Sequence, residues 1–133
     1  MAMTRLRSPM RSPLGRAVGL GSAKEGVEHW WRQRMTALAL VPLVLWFVVM
    51  VIELAGADRQ ALVAWMHNPM AAVLMILLLA AGFYHAALGL QVVIEDYVHS
   101  EGLKIAALVA MRLLCIVFVV RGILAVLKLA LGA

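Results

Sequence analysis

The sequence has a single cysteine and few charged residues. Cys115 is the sole cysteine among 133 residues, so no disulfide can form within the chain. Charged residues make up only 14% of the composition, and hydrophobic residues make up 65%, against roughly 45–50% in an ordinary soluble domain. No internal repeat, glycine-rich phosphate loop or serine–histidine hydrolase arrangement is present. These absences exclude an intrachain disulfide framework and argue against the common nucleotide-binding and hydrolase sites.

Three apolar segments are each long enough to cross a bilayer. A spanning helix needs about 20 mostly apolar residues, and that length is met by segments 35–54, 69–94 and 105–131. A soluble helical bundle would show a polar face on each helix, whereas these segments are apolar nearly all round. The sequence therefore predicts an all-α integral membrane protein, with one three-helix domain over residues 25–133. Asn68 is predicted to cap the second helix, with Pro69 at its first position.

Basic residues are concentrated before the first span. Seven of the twelve lie at or before Arg34, and residues 1–24 contain no acid. That composition is shared by mitochondrial transit peptides, but we favour a flexible cytoplasmic tail of a bacterial protein. Because basic flanks are retained inside the cell, the N-terminus is predicted to be cytoplasmic and the C-terminus to lie outside. A basic tail next to a span, without interleaved aromatics, predicts contact with membrane lipid and no nucleic-acid partner.

The second span carries a histidine on a face of small residues. Burying a histidine in an apolar segment costs free energy unless the ring has a partner. At about 100° per residue, the positions within about 60° of His85 include Gly82, Gly89 and Asp96. The helix runs toward the cytoplasm, so Tyr97 lies near the inner boundary. His85, about 18 Å away along the axis, then lies near the middle of the bilayer.

Residue types alone leave several chemical interpretations open. His85 can be a haem ligand, a hydrogen-bonded structural histidine or part of a proton relay; no Cys, Asp or second His lies one turn away to form a zinc site. Arg34 can contact lipid phosphate or pair with an anionic cofactor group. Tyr97 can donate a hydrogen bond to a quinone carbonyl, and Asp96 can help to deliver protons. Acidic and aromatic residues are also common at helix exits.

The order and spacing of these residues resemble a known family. The motif His-Ala-Ala-Leu-Gly at 85–89 is followed by Asp-Tyr-Val at 96–98. Gly-Val at 26–27 and Arg-Met-Thr-Ala at 34–37 precede and begin the first span. This pattern is similar to the small hydrophobic membrane-anchor subunit of succinate dehydrogenase, in its alphaproteobacterial form. The resemblance covers about residues 21–131 and leaves the basic tail unmatched.

The resemblance implies roles for individual residues in succinate:quinone oxidoreductase, respiratory complex II. His85 would be one axial ligand of the haem b iron, and a second cytochrome b anchor subunit would supply the other. The three spans would pack with that subunit around the haem. Tyr97 and Asp96 would form part of the ubiquinone-reduction site. Arg34 would lie near the haem propionates. Independently of the resemblance, the small residue Gly89 beside His85 would let a flat macrocycle or a second helix approach closely.

The same resemblance implies that the chain has no activity alone. Succinate would be oxidised in a flavoprotein subunit that carries FAD, and electrons would pass through the clusters of an iron–sulfur subunit to ubiquinone. These reactions belong to the respiratory chain and the tricarboxylic acid cycle. The expected location is the bacterial inner membrane, with a periplasmic C-terminus. Two alternatives are a non-redox packing or assembly subunit of a membrane transporter, and the anchor of a fumarate reductase-type relative.

Overall fold

Four α-helices make up nearly all of the described chain. The computed structural model describes residues 25–132, in which the helices are α1 (Glu25–Glu53), α2 (Arg59–Met66), α3 (Pro69–Tyr97) and α4 (Glu101–Leu131). The three long helices, α1, α3 and α4, contain 29, 29 and 31 residues and are apolar enough to cross a membrane. The predicted all-α architecture with three spans is confirmed. The predicted basic tail, residues 1–24, lies outside the described residues.

α3 begins as the sequence predicts. The Asn68 side chain accepts a hydrogen bond from the backbone N–H of Met70 at 2.9 Å, and Pro69 is the first helical residue. Proline suits this position because its missing N–H would have no partner inside the helix. α4 ends at Gly132, whose φ of 72° is left-handed and whose N–H donates to the carbonyl of Lys128. Glycine takes this conformation without steric cost.

α1 begins at Glu25, well before the predicted span at residue 35. Hydropathy identifies only the apolar part of a helix, so it missed the polar first turns of α1. Arg32 forms an ion pair with Glu28 one turn earlier, and this spacing supports a helix. The other two long helices also extend beyond the predicted spans, α3 to Tyr97 and α4 from Glu101.

The connection between α1 and α3 contains the short helix α2, which the hydropathy pattern did not predict. Asp58 caps it by accepting a backbone N–H of the first turn at 2.8 Å. Trp65 of α2 packs against Trp46 of α1, with 5.5 Å between the ring centroids. Just after α2, Nδ1 of His67 donates to the carbonyl of Ala130 at 3.1 Å. This corner of the chain therefore contacts both α1 and α4.

α3 is the central helix of the bundle. It packs against α1 and against α4, whereas α1 and α4 do not approach each other within residues 25–132. The end of the bundle that contains α2, here named the α2 end, holds a buried cluster of Met66, Ala72 and Val126. The opposite end, named the Tyr97 end, contains the last turns of α3 and the first turns of α1 and α4.

The outward faces of the long helices are apolar. On α1, Leu38, Leu45 and Ile52 are 64%, 64% and 69% exposed at seven-residue spacing. No polar or charged residue is fully buried among the described residues. A protein in water would bury such leucine and isoleucine side chains, because their exposure to water costs free energy. The chain is therefore a multi-pass membrane protein whose surroundings are lipid or other apolar helices.

Candidate functional site

The small residues around His85 let α1 approach α3 closely. A Cβ atom added at Gly82 would lie 3.9 Å from Leu40 of α1, and one added at Gly89 would lie 3.7 Å from Nε2 of Gln33. His85 also contacts α1, so the predicted common face is confirmed for these three residues, and the place of Asp96 on it stays a prediction. The element that this face meets within the chain is α1. Small residues favour such close helix contact in membranes.

Both ring nitrogens of His85 contact polar side chains of α1. Nδ1 lies 2.9 Å from Oγ1 of Thr36, and Nε2 lies 3.3 Å from Nε2 of Gln33. The ring is half-buried. Gln33, Thr36 and His85 are named the His85 site. The two α1 residues, Gln33 and Thr36, were not among the predicted site residues. They are three residues apart, and residues with this spacing share a helix face, so the sequence could have indicated that both side chains point the same way.

Two buried polar atoms of α1 have no hydrogen-bond partner among the described residues. They are Nε2 of His29 and Oε1 of Gln33. His29 lies one turn before Gln33, so the two residues share a face that continues to Thr36. Buried polar atoms in native proteins are nearly always hydrogen-bonded. This stripe of α1 therefore carries two polar atoms whose hydrogen bonds are not made by the described residues.

The His85 site fits the needs of a haem ligand. Within residues 25–132, no three His, Cys, Asp or Glu residues cluster in a way that could hold a bare metal ion. A haem iron needs only one or two axial ligands from protein, because the porphyrin supplies the other four nitrogens. His85 could offer one such nitrogen, Nε2, once the Gln33 amide turns away from it.

A second polar region lies between α1 and α4, over α3. It is a groove of about 770 Å³, named the open groove, with Arg32, Tyr84 and Gln91 among its lining residues. From α4, Nη2 of Arg112 donates to Oε1 of Gln91 at 3.0 Å. Nε2 of Gln91 in turn donates to Oε1 of Glu95 at 2.8 Å. Arg112 is thus linked to the carboxylate of Glu95 through the side-chain amide of Gln91.

The residues predicted to bind quinone lie apart from both regions. Asp96 and Tyr97 are the last residues of α3 and are exposed, Tyr97 by 78%. Neither lines the open groove. Because α3 is continuous, Tyr97 lies about 18 Å along the axis from His85. A group bound at Tyr97 is therefore separate from one bound at His85.

Arg34 does not contact the His85 site. Its guanidinium carbon lies 4.9 Å above the ring of Trp30, one turn earlier on α1. Such stacking holds an exposed cation against an aromatic face. The side chain is exposed. Its predicted contact with a haem propionate stays a prediction.

Comparison with known proteins gives one family over most of the chain. Residues 8–119 match the family model described as succinate dehydrogenase/fumarate reductase transmembrane subunit. The succinate dehydrogenase hydrophobic membrane anchor subunit of Rickettsia bellii is 34% identical, over 87% of this chain and 93% of that protein. The corresponding subunit of Paracoccus denitrificans is 30% identical, over 92% of this chain and 94% of that protein. The succinate dehydrogenase membrane anchor subunit of Reclinomonas americana is 30% identical, over 70% of this chain and 80% of that protein. No solved structure matches significantly.

Proposed function

The chain belongs to the family of succinate dehydrogenase/fumarate reductase transmembrane subunits, and we propose that it provides a haem b ligand and part of a ubiquinone-reduction site. Similarity over nearly the full length of two alphaproteobacterial anchor subunits supports the anchoring role within a succinate-oxidising complex. It favours this role over that of a transporter packing subunit. The observation that carries the haem assignment is the position and hydrogen bonding of His85 in the middle of α3.

His85 is the proposed axial ligand. It lies sixteen positions after Pro69 and twelve before Tyr97, so it lies at least about 18 Å from either end of α3. A haem bound there would lie within the hydrocarbon layer, where it supplies one-electron transfer. The chain's own contribution is one imidazole nitrogen, held by Thr36. The second axial ligand would come from a second anchor subunit, because the other described histidines lie near the helix ends or beyond them.

Tyr97 and Asp96 are the proposed quinone residues. At the end of α3 they lie at the depth of the headgroup layer, where a quinone ring can meet polar groups while its isoprenoid tail stays in lipid. The phenol O–H of Tyr97 can donate to a quinone carbonyl. Asp96 can orient a neighbouring cation and help to deliver protons as the quinone is reduced. Their exposure leaves room for partner subunits to complete the pocket.

The partners follow from this assignment. A flavoprotein with FAD would oxidise succinate, and an iron–sulfur subunit would carry electrons to the quinone. Both would dock at the Tyr97 end of the bundle, where the quinone residues lie. The basic residues before α1 support a cytoplasmic location for this end. The membrane would then be the bacterial inner membrane, and the C-terminus would be periplasmic.

A reduced-minus-oxidised optical spectrum of the purified whole complex tests the haem assignment. The wild-type complex should show b-type haem bands, and His85→Ala should lose or shift them. His67→Ala is the matched control, because His67 lies at the α2 end, and it should leave the bands intact. Equal spectra for wild type and His85→Ala would refute the ligand assignment. Bands absent from the wild type would refute haem binding.

A further inference from the structure

The hydroxyl of Thr36 faces three groups and has one hydrogen to donate. Oγ1 lies 2.9 Å from the carbonyl oxygen of Arg32, 3.0 Å from that of Gln33 and 2.9 Å from Nδ1 of His85. A carbonyl oxygen can only accept a hydrogen bond, whereas a neutral imidazole nitrogen is either a donor or an acceptor. If the hydroxyl hydrogen goes to the α1 carbonyls, Oγ1 has a lone pair left for an N–H at Nδ1.

The contact on the other side of the ring fits the same tautomer. The Gln33 amide nitrogen carries two hydrogens and faces Nε2 of His85 at 3.3 Å. With the amide nitrogen turned toward the ring, Nε2 accepts this hydrogen bond and lacks a hydrogen. A neutral ring without hydrogen at Nε2 carries it at Nδ1. The contacts of Thr36 and Gln33 therefore agree on one form of His85.

We infer that Thr36 is a positioning residue that holds His85 as the Nδ1–H tautomer, with the Nε2 lone pair available to the iron of a haem. This inference rests on the proposed function and adds to it. An axial histidine binds iron through an unprotonated nitrogen, and the hydrogen bond at its other nitrogen sets the ring orientation. Thr36 supplies that bond from α1, a different helix from the one that carries the ligand.

Gln33 and an iron atom would compete for the same position. The Gln33 amide lies against Nε2, the nitrogen that a haem iron would bind, and its oxygen has no partner among the described residues. Its amide must therefore turn away when the iron binds. The two α1 contacts of His85 thus have opposite effects on haem binding: Thr36 favours it and Gln33 opposes it.

The hydrogen bond at Nδ1 also affects the iron. Accepting the Nδ1 hydrogen raises the electron density at Nε2 and makes the ring a stronger donor. A stronger donor stabilises ferric over ferrous haem. Thr36→Val keeps the branched shape and removes the hydroxyl, so the haem midpoint potential should rise. Haem retention should fall by about 10-fold or more, the usual effect of losing such a supporting contact.

The test uses the whole purified complex and four readouts other than turnover. They are haem content per complex, haem retention during detergent washing, the midpoint potential from a redox titration, and the low-spin ferric electron paramagnetic resonance signal. Thr36→Val should change all four, and Thr36→Ser, which restores the hydroxyl, should return them toward wild type. Gln33→Leu should retain haem at least as well as wild type. Thr36→Ala replaces the valine variant if that complex does not assemble.

Each outcome has a distinct meaning. Wild-type values in Thr36→Val would overturn the role of Thr36 while leaving His85 as the ligand. A change that serine does not reverse would assign the effect to packing and would also overturn it. Equal loss in Gln33→Leu and Thr36→Val would contradict the opposite effects of the two contacts. A wild-type complex without haem would instead refute the proposed function.

Discussion

The two ends of the bundle are built differently. At the α2 end, α2, α3 and α4 contribute the nearly inaccessible residues Met66, Ala72 and Val126. At the Tyr97 end, α1 and α4 flank the open groove, and the polar side chains Arg32, Gln91 and Arg112 lie exposed or half-buried. The α2 end is stabilised within the chain, whereas the Tyr97 end leaves polar groups available to other molecules.

The largest expected effect is a loss of volume at the α2 end. Met66 is 2% exposed, so Met66→Ala should leave a cavity and lower the free energy of unfolding by about 2–5 kcal/mol. Met70→Ala is the matched control, because Met70 is 63% exposed. Denaturation of the detergent-solubilised complex measures both. Equal losses would contradict a tightly packed α2 end.

The second-largest expected effect comes from a larger side chain at Gly122 of α4. A Cβ atom at Gly122 would lie 3.0 Å from Cδ1 of Leu79, closer than ordinary contact. Gly122→Leu should therefore push α4 from α3 and cost about 1–3 kcal/mol in unfolding free energy. Gly102→Leu, toward the Tyr97 end of the same helix, meets nothing within 4 Å in this chain and should cost less. The same denaturation assay compares the two; a larger effect at Gly102 would reverse the contrast between the ends.

Two tyrosines of α3, one at the Tyr97 end and one in the open groove, distinguish two locations for the quinone. Tyr97→Phe should lower kcat/KM for ubiquinone by roughly fivefold, which corresponds to about 1 kcal/mol for a lost hydrogen bond. Succinate oxidation with a soluble artificial acceptor should stay unchanged. Tyr84→Phe is the control, because Tyr84 lines the open groove. If Tyr84→Phe alone impairs quinone reduction, the quinone binds in the groove instead.

The smallest expected effect is at Gln91 in the open groove. Gln91→Leu removes both of its side-chain hydrogen bonds, to Arg112 and to Glu95. The free energy of unfolding should fall by about 1 kcal/mol or less, because both hydrogen bonds lie on the half-buried and exposed wall of the open groove. Gln91→Glu keeps acceptor oxygens for Arg112 and should be closer to wild type. A loss larger than that of Gly122→Leu would show that the groove, too, contributes strongly to stability.

Local features were predictable from the sequence. The three spans, the Asn68 cap and the common face of Gly82, His85 and Gly89 depend on length, hydropathy and helical phase alone, and the structure confirms them. The polar first turns of α1 and the whole of α2 were not predicted, because hydropathy does not mark helices outside the apolar segments. The family resemblance was confirmed by the family match, which runs over residues 8–119 and so includes part of the basic tail that the resemblance left unmatched.

Contacts between helices were not predictable in the same way. Thr36 meets His85 only because α1 and α3 pack at one particular register, and nothing local to either segment encodes that alignment. The same holds for Arg112 and Gln91, which join α4 to α3. The roles of Asp96, Tyr97 and Arg34 depend on molecules outside this chain, so they stay predictions.

Because α1 and α4 do not contact each other within residues 25–132, their relative position depends on how each packs against α3. His85 and Gln91 point about 120° apart around the axis of α3, one toward α1 and the other toward Arg112 of α4. Rotation of α3 about its axis would therefore displace both contacts at the same time. The contact with α1 and the contact with α4 together limit the rotation of α3 between its two neighbours.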